Sequence, residues 1–391
     1  RVNRTEYDAW GRVIKMTVPE GVMAEIEYDE ASRPVRMRTP VRERRYAYDS
    51  RGAVTAMYCQ AGATIITNHF AYDPRGLAIS AVDAEGHTGQ SEYDVLGRRI
   101  KTVDALGRTN LYAYDARDNL VAMTDGLGRT TQFEYDAGNR QTRRRSPDGA
   151  KIRIGYDAAG RIAQTVDANG SKVRWDYDGL GRVLTTRVYA VEADPTPAKT
   201  VTYTYDAYGR RLSYDDGTTA GVWTYDDAAR TTTCAIDYGD FSAAYTYEYD
   251  AQGRKIALVG PDGWTNRYRY GSDRLLAEVE ISGEGSLSLQ RQSHALEQHL
   301  QYPGGARQQY SFDPLLGLMS NRAMDATEAP LMQHVYTRSS AGPVRSLETD
   351  EGLYTYDYDG VYQLLQAGHP VLGSWGYTYD AAGNRHTSVG P

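Results

Sequence analysis

The chain has 391 residues, with 44 basic and 51 acidic side chains, a formal net charge of -7, and 33 Tyr against only 4 Phe and 5 Trp. An acidic balance with no basic stripe argues against a nucleic-acid or anionic-membrane partner. No stretch approaches the roughly 18 apolar residues of a membrane-spanning helix.

The N-terminus, "RVNRTEYDAWGR", carries no apolar leader region and opens in mid-repeat, so the sequence reads as a segment of a longer protein. Tyr-Asp pairs then recur along the chain. The motif Tyr-Asp-x-x-Gly-Arg is spelled by Tyr93, Asp94, Gly97 and Arg98. The pair alone returns at Tyr114 and Asp115, and at Tyr135 and Asp136. The full motif follows at Tyr156, Asp157, Gly160 and Arg161, and at Tyr177, Asp178, Gly181 and Arg182. It appears again at Tyr205, Asp206, Gly209 and Arg210, and at Tyr249, Asp250, Gly253 and Arg254. The central steps, 114-93, 135-114, 156-135 and 177-156, are each 21 residues. A second turn signal, as in "DALGRT" and "DGLGRT", sits ten residues before each central Tyr.

A turn about every ten residues predicts a meandering antiparallel sheet, with two strands of roughly six residues per repeat. Asp at the first turn position accepts backbone N–H groups, and Gly three residues later takes a positive φ. Asn119 and Asn139 stand near equivalent Gly positions and tolerate the same region. Alternation such as Tyr203/Tyr205 and Val173/Trp175/Tyr177 puts the rings on one face and polar side chains on the other. The Arg after each Gly is placed to lie on a neighbouring ring or to bridge to the turn Asp.

The array is expected to run over 1–391 as one unit, best in register over 72–260 and degenerate with insertions over about 281–349. The stretch from Ile281 to Arg307 fits a long hairpin, a loop or a short helix, and "VEADPTPAKT" reads as a connecting loop.

Reactive constellations are not evident. His294 and His299 in "HALEQH" are five apart, whereas two zinc ligands on one helical face need four. The repeated Asp residues are accounted for by turns, and a catalytic carboxylate pair would be singular. Arg143, Arg144 and Arg145 read as a solvated strand end. Cys59 and Cys234 show no metal spacing, and their pairing stays open. No catalytic residue, cofactor site or metal site is predicted.

Repeated "YDAAGRI", "YDGLGRV", "YDAYGRR" and "YDAQGRK" resemble the YD repeats of the Rhs (rearrangement hot spot) family, which includes toxin-complex C subunits and teneurins. The resemblance implies an all-β fold: a continuous antiparallel β-hairpin array spiralling into part of a hollow shell, a YD-repeat cocoon. It further implies an exported structural segment whose partner is an enclosed toxin polypeptide, delivered to a target cell, often by type VI secretion. A secretion-tip or chaperone partner belongs to the same expectation. "DPLLGL" at Asp313 to Leu318 has one residue more than the family's cleavage motif and lies inside the array, so it reads as a degenerate repeat. The alternative function is a surface adhesin that stacks sugars on its Tyr and Trp rings; a generic extracellular spacer is the third reading.

Overall fold

A computed structural model describes residues 3–18, 21–291 and 296–390; His294 lies outside them. The fold is all-β. The described residues hold 36 strands, from β1 (Arg4–Tyr7) and β2 (Val13–Val18) to β36 (Arg385–Val389). One 3-10 turn, Pro303–Gly305, interrupts them among those residues. The chain groups into two compact units. Unit 1 comprises Arg1–Tyr112, Thr124–Gly128 and Leu289–Pro391; unit 2 comprises Ala113–Met123 and Arg129–Ser288.

Within each unit the described ladders are antiparallel and join strands adjacent in sequence. In unit 2, β17 (Lys172–Tyr177) pairs with β18 (Val183–Tyr189) through Trp175 opposite Thr186, and β18 with β19 (Lys199–Tyr205) through Thr186 opposite Val201. Cross-strand partners share a face, so Trp175, Thr186 and Val201 lie in the row that carries the rings, and Asp176, Thr185, Thr202 and Asp215 form a polar row behind it. The period of two read from the tyrosines is therefore the pleat itself. On the polar face, hydroxyl pairs bridge strands, as in Thr204 with Ser213 and Thr378 with Thr387, both at 2.6 Å.

The apolar face has no second layer to fill. Only eight apolar residues are buried among the described residues, and five of them are Ala or Val. A globular chain of this length would bury roughly three quarters of its unfolded surface in a core. Here rings such as Tyr156 and Tyr205 are partly covered by their lateral neighbours, which suits Tyr because its hydroxyl stays hydrogen-bonded while its ring is packed.

The uncertain stretch after Ile281 is strand: β27 (Gly285–Arg291) and β28 (Glu297–Gln301) lie on either side of the undescribed residues. "DPLLGL" is the turn between β29 (Arg307–Asp313) and β30 (Gly317–Met324), which pair with each other. "VEADPTPA" is a loop, and the Lys199 and Thr200 that follow already begin β19. Cys59 and Cys234 are buried free thiols.

Candidate functional site: linked turns and a seam

The turns after the Tyr-Asp strands line one edge of each ladder, and their geometry repeats with little variation. At Asp178 the backbone N–H of Gly181 donates to the Asp178 carbonyl at 3.1 Å, and the Asp178 N–H donates to the Arg182 carbonyl at 2.9 Å. Gly181 has φ +85°, the left-handed value that closes a type I turn with a bulge. One Asp178 oxygen accepts the N–H groups of Leu180 and Arg182, both at 2.9 Å; the other accepts Arg182 Nε at 2.6 Å. These bonds all favour the ionised carboxylate. The backbone N–H of Arg182 is the main cause that holds the Asp178 carboxyl below its ordinary value of 3.8, and the same N–H bond from Arg161 acts on Asp157.

Each turn is also bound to the next. Arg161 lies 4.5 Å from the Tyr177 ring centroid and donates to the Asp178 carbonyl at 3.1 Å. Tyr177 in return donates its hydroxyl to the Ile162 carbonyl at 2.7 Å. That carbonyl follows the Gly-Arg bulge, where the ladder is out of register. Arg182 repeats the link, 4.8 Å from the Tyr205 ring and 2.8 Å from the Asp206 carbonyl, while Tyr205 caps the Val183 carbonyl at 2.9 Å. Arg140 lies over Tyr156 and Arg254 over Tyr270 in the same way. Ring and carboxylate contacts, read from the sequence as alternatives for the Arg, are made at once.

The other predicted motif residues occupy the same kind of turn. Tyr93 caps the Ala78 carbonyl at 2.8 Å, and Asp94 binds Arg98 Nε at 2.7 Å, with Gly97 at φ +84°. Tyr135 caps Leu120 and Tyr156 caps Gln141. Asp136, Asp157, Asp206 and Asp250 each accept the Nε of the Arg four residues on, at 2.6 to 2.8 Å. Gly160, Gly209 and Gly253 take positive φ. Tyr114 and Asp115 belong to a variant: Asp118, not Asn119, takes the left-handed position at φ +67°. Asn119 stands where Arg is usual and donates to Asp115 at 3.0 Å, because its short amide still reaches the carboxylate. Asn139 does take the left-handed position, at φ +60°.

A second set of contacts joins residues some 250 positions apart, all inside unit 1. Turns on the edge opposite the Tyr-Asp turns, near residues 64, 85, 104 and 126, meet Tyr-Asp-edge turns near 313, 340, 360 and 381. Tyr362 donates its hydroxyl to Asp83, and His87 Nδ1 lies 3.0 Å from the same hydroxyl. Arg345 pairs with Glu85 at 2.8 Å, and Ser340 donates to the Ala84 carbonyl at 3.3 Å. Arg108 donates to Gln363 Oε1 at 2.9 Å, and Gln363 donates onward to the Gly383 carbonyl at 3.0 Å. Thr64 donates to Asp313 at 3.2 Å. Gly126 is required there, since a Cβ on it would stand 2.4 Å from the Ala381 carbonyl oxygen.

Burial pushes the Asp83 carboxyl up, but hydrogen bonds from Tyr362 and from the Glu85 and His87 N–H groups outweigh it, and the group lies below its ordinary value. Burial and the facing Asp83 carboxylate push the Tyr362 phenol up. With its O–H donating to Asp83, the Tyr362 oxygen is left as an acceptor for His87 Nδ1–H.

Sequence reasoning missed the seam, yet a signal was present. "DAEGH" has His87 where Arg is usual, and "DGVYQ" has Tyr362 in place of Gly and Gln363 in place of Arg. Tyr362 keeps the left-handed backbone, at φ +65°, without a glycine to make it easy. His369 is a further departure: buried, it accepts the N–H groups of Val371 and Leu372 at Nδ1, as a turn Asp would. Its Nε2–H then donates to the Glu351 carbonyl at 3.0 Å.

Among the described residues, no group of three or more His, Cys, Asp or Glu is placed to hold a metal ion. No helix among them is long and apolar enough to cross a membrane. Linked turns along a one-layer ladder define a β-hairpin wall.

Comparison with known proteins agrees with that wall. Residues 2–124 match the Teneurin YD-shell family, and residues 114–151 and 156–191 match the RHS Repeat family. These matches bear out the resemblance to YD-repeat (Rhs) shells of the kind found in teneurins and toxin-complex subunits. No curated protein matches it. Among solved structures, TcdB2-TccC3 without its hypervariable C-terminal region superposes with a TM-score of 0.71 at 16% identity, over 99% of this chain and 25% of that one. The Photorhabdus luminescens Tc holotoxin pore gives 0.70 at 16% identity, over 98% and 25%. The chain thus spans about a quarter of the length of these structures, and the likeness establishes its fold as that of the toxin-complex shell.

Proposed function

We propose that this segment is wall of an Rhs-type shell that encloses a toxin polypeptide and protects it until delivery to a target cell. The observation that carries this reading is the seam: a hairpin ladder in unit 1 meets an edge of the same chain about 255 residues on, as 363-108 measures it. A ribbon that returns to its own edge is the element a closed wall needs, and the Tyr-Asp-Gly-Arg residues are its joints. The wall itself is structural, any chemistry belonging to the polypeptide held inside. Export outside the producing cell follows from the same reading, with a secretion-tip or chaperone partner.

The adhesin reading needed free Tyr faces. Tyr177 and Tyr205 each carry a guanidinium on the ring and spend the hydroxyl on a carbonyl, which takes the Tyr-Asp rings away from that reading.

Limited proteolysis of the full-length protein tests the proposal. A polypeptide outside the repeats should resist protease while the wall is intact and become sensitive when the seam is weakened by Asp83→Ala. Equal cleavage in both proteins would refute enclosure.

A further inference from the structure

In unit 2 the polar face of β14 (Gln141–Arg145), β15 (Lys151–Tyr156), β16 (Ile162–Val166), β17 and β18 breaks a charge pattern seen elsewhere on the sheet. Facing charges there are opposite in sign, as in Glu25 with Lys15 and Arg38, Glu92 with Lys101, and Arg269 with Glu278. Here Arg143 faces Arg153, Arg145 faces Lys151 and Arg174 faces Arg187, and like charges directly opposite destabilise a sheet. Arg36 and Arg45 also face each other, but Glu43 bonds to both. With Lys172, seven cations share the face with three carboxylates, those of Glu134, Asp176 and Glu192, a surplus of four on a chain of net charge -7. No basic stripe shows in the sequence, because alternate residues leave on opposite faces; antiparallel pairing assembles one.

The three carboxylates do not meet the surplus. Glu134 holds Arg143 at 2.8 Å, Asp176 holds Arg187, and Glu192 holds Arg153. Arg145 and Lys151 are exposed, and their side chains make no hydrogen bond or ion pair among the described residues. Arg174 is 57% exposed and lies 3.8 Å from an Asp176 already bound to Arg187. The loop "VEADPTPA" shows what chemistry the face accepts. It returns a carboxylate and a carbonyl to the strands: Glu192 pairs with Arg153, and its main-chain oxygen accepts from Lys172 Nζ at 2.7 Å. An acidic piece of peptide is thus already seated at one corner, with the surplus beside it. The carboxylates that remain on the face disfavour a polyanion charged at every unit, such as nucleic acid, and leave room for carboxylates spaced along a peptide.

We propose that this face binds an acidic segment of a partner polypeptide, whose carboxylates bridge Arg145 to Lys151 and reach Arg174, beside the place that Glu192 fills. A carboxylate between facing cations relieves their repulsion, as Glu43 does between Arg36 and Arg45. The five strands span roughly 19 Å, which about six extended residues cover. The contact is exposed, so it weakens with salt. It rests on this face alone and not on enclosure, so a protease result against enclosure leaves it standing.

The test is fluorescence anisotropy of a labelled peptide of alternating Glu and Ala, titrated with the full-length protein at low salt. Binding is expected, and it should weaken several-fold as salt rises to the physiological range. Arg145→Gln combined with Lys151→Gln alters two side chains that hold nothing in the fold, so circular dichroism should be unchanged while affinity drops by roughly tenfold. Glu192→Gln frees Arg153 and should raise affinity by roughly threefold. No binding at low salt overturns the proposal, as does binding that the double variant leaves unchanged. An unchanged affinity in Glu192→Gln overturns the loop as a stand-in for the partner. Single-stranded DNA of equal charge bound more tightly than the peptide overturns the polypeptide assignment.

Discussion

The turns from Tyr156 to Arg210 in unit 2 and the turns that meet across the seam in unit 1 share one backbone but differ in side chains. In unit 2, Arg161 and Arg182 reach only to the next turn of their own ladder, and Tyr177 and Tyr205 reach back. Across the seam, three of the binding residues break the motif, His87 and Gln363 in place of Arg and Tyr362 in place of Gly, and they work beside Asp83, Arg108 and the Glu85–Arg345 pair. Conforming residues make the ladder continuous, and departing residues, joined by the conforming Arg108, hold one run of it to another.

Acid should have the largest effect and should reach both regions, since Asp83 at the seam is also held below its ordinary value. In unit 2 the Asp157 and Asp178 carboxyls are held below 3.8 by backbone N–H groups, so the folded state favours their ionised form. Stability from such groups is fully present above pH ~4 and is lost as pH falls through the depressed folded-state values. An acid titration followed by circular dichroism should therefore show the conforming turns failing together below pH ~4. A flat profile down to pH 2 would mean that the carboxylates contribute nothing.

Asp83→Ala comes next. It removes the acceptor of the Tyr362 hydroxyl and of two backbone N–H groups, at a cost of about 2–3 kcal/mol. Hydrogen exchange should rise in turns 83–87 and 359–363 together while unit 2 keeps its protection. Exchange that rises in only one of the two turns would show the contact to be unimportant.

Tyr362→Phe should cost about 1–2 kcal/mol in urea unfolding, because it removes the hydroxyl that joins Asp83 and His87 across the seam. Tyr362→Gly loses the same bonds but relieves a left-handed strain of roughly 1 kcal/mol, so it should be the more stable of the pair while its seam still opens. Equal stability of the two variants would remove strain from the account.

Tyr177→Phe is the smallest change. It unpairs only the Ile162 carbonyl at a half-exposed site, so a loss of about 0.5–1 kcal/mol is expected, confined to its own hairpin. A larger effect, or one felt in unit 1, would show that the links along the ladder are cooperative.

The strands, the turn chemistry and the two faces were legible because each is set within about ten residues. Asp178 needs only Arg182 beside it, and Tyr177 only the preceding hairpin. The link from Arg161 to Tyr177 was half-legible, since spacing brings them close but does not say that one guanidinium serves both ring and carbonyl. The seam was not legible, because no periodicity relates Asp83 to Tyr362. Only the break in the motif marked it, and a break alone names no partner. His369 was hidden for a related reason: an imidazole doing an aspartate's work in a turn does not look like the motif.

The separation between seam partners also has a meaning in time. Hairpins of this kind close locally and fast, so a ladder forms as the chain emerges from the ribosome. Arg108, however, cannot meet Gln363 until 255 further residues exist. At about 5–20 residues per second that is a wait of roughly 10–50 s. Through that interval the turns at Asp83, Glu85 and Arg108 stand finished and unoccupied. A nascent chain of this design carries an open, correctly shaped edge long before its own partner arrives, and crowding on one messenger would offer that edge a neighbour's turns first.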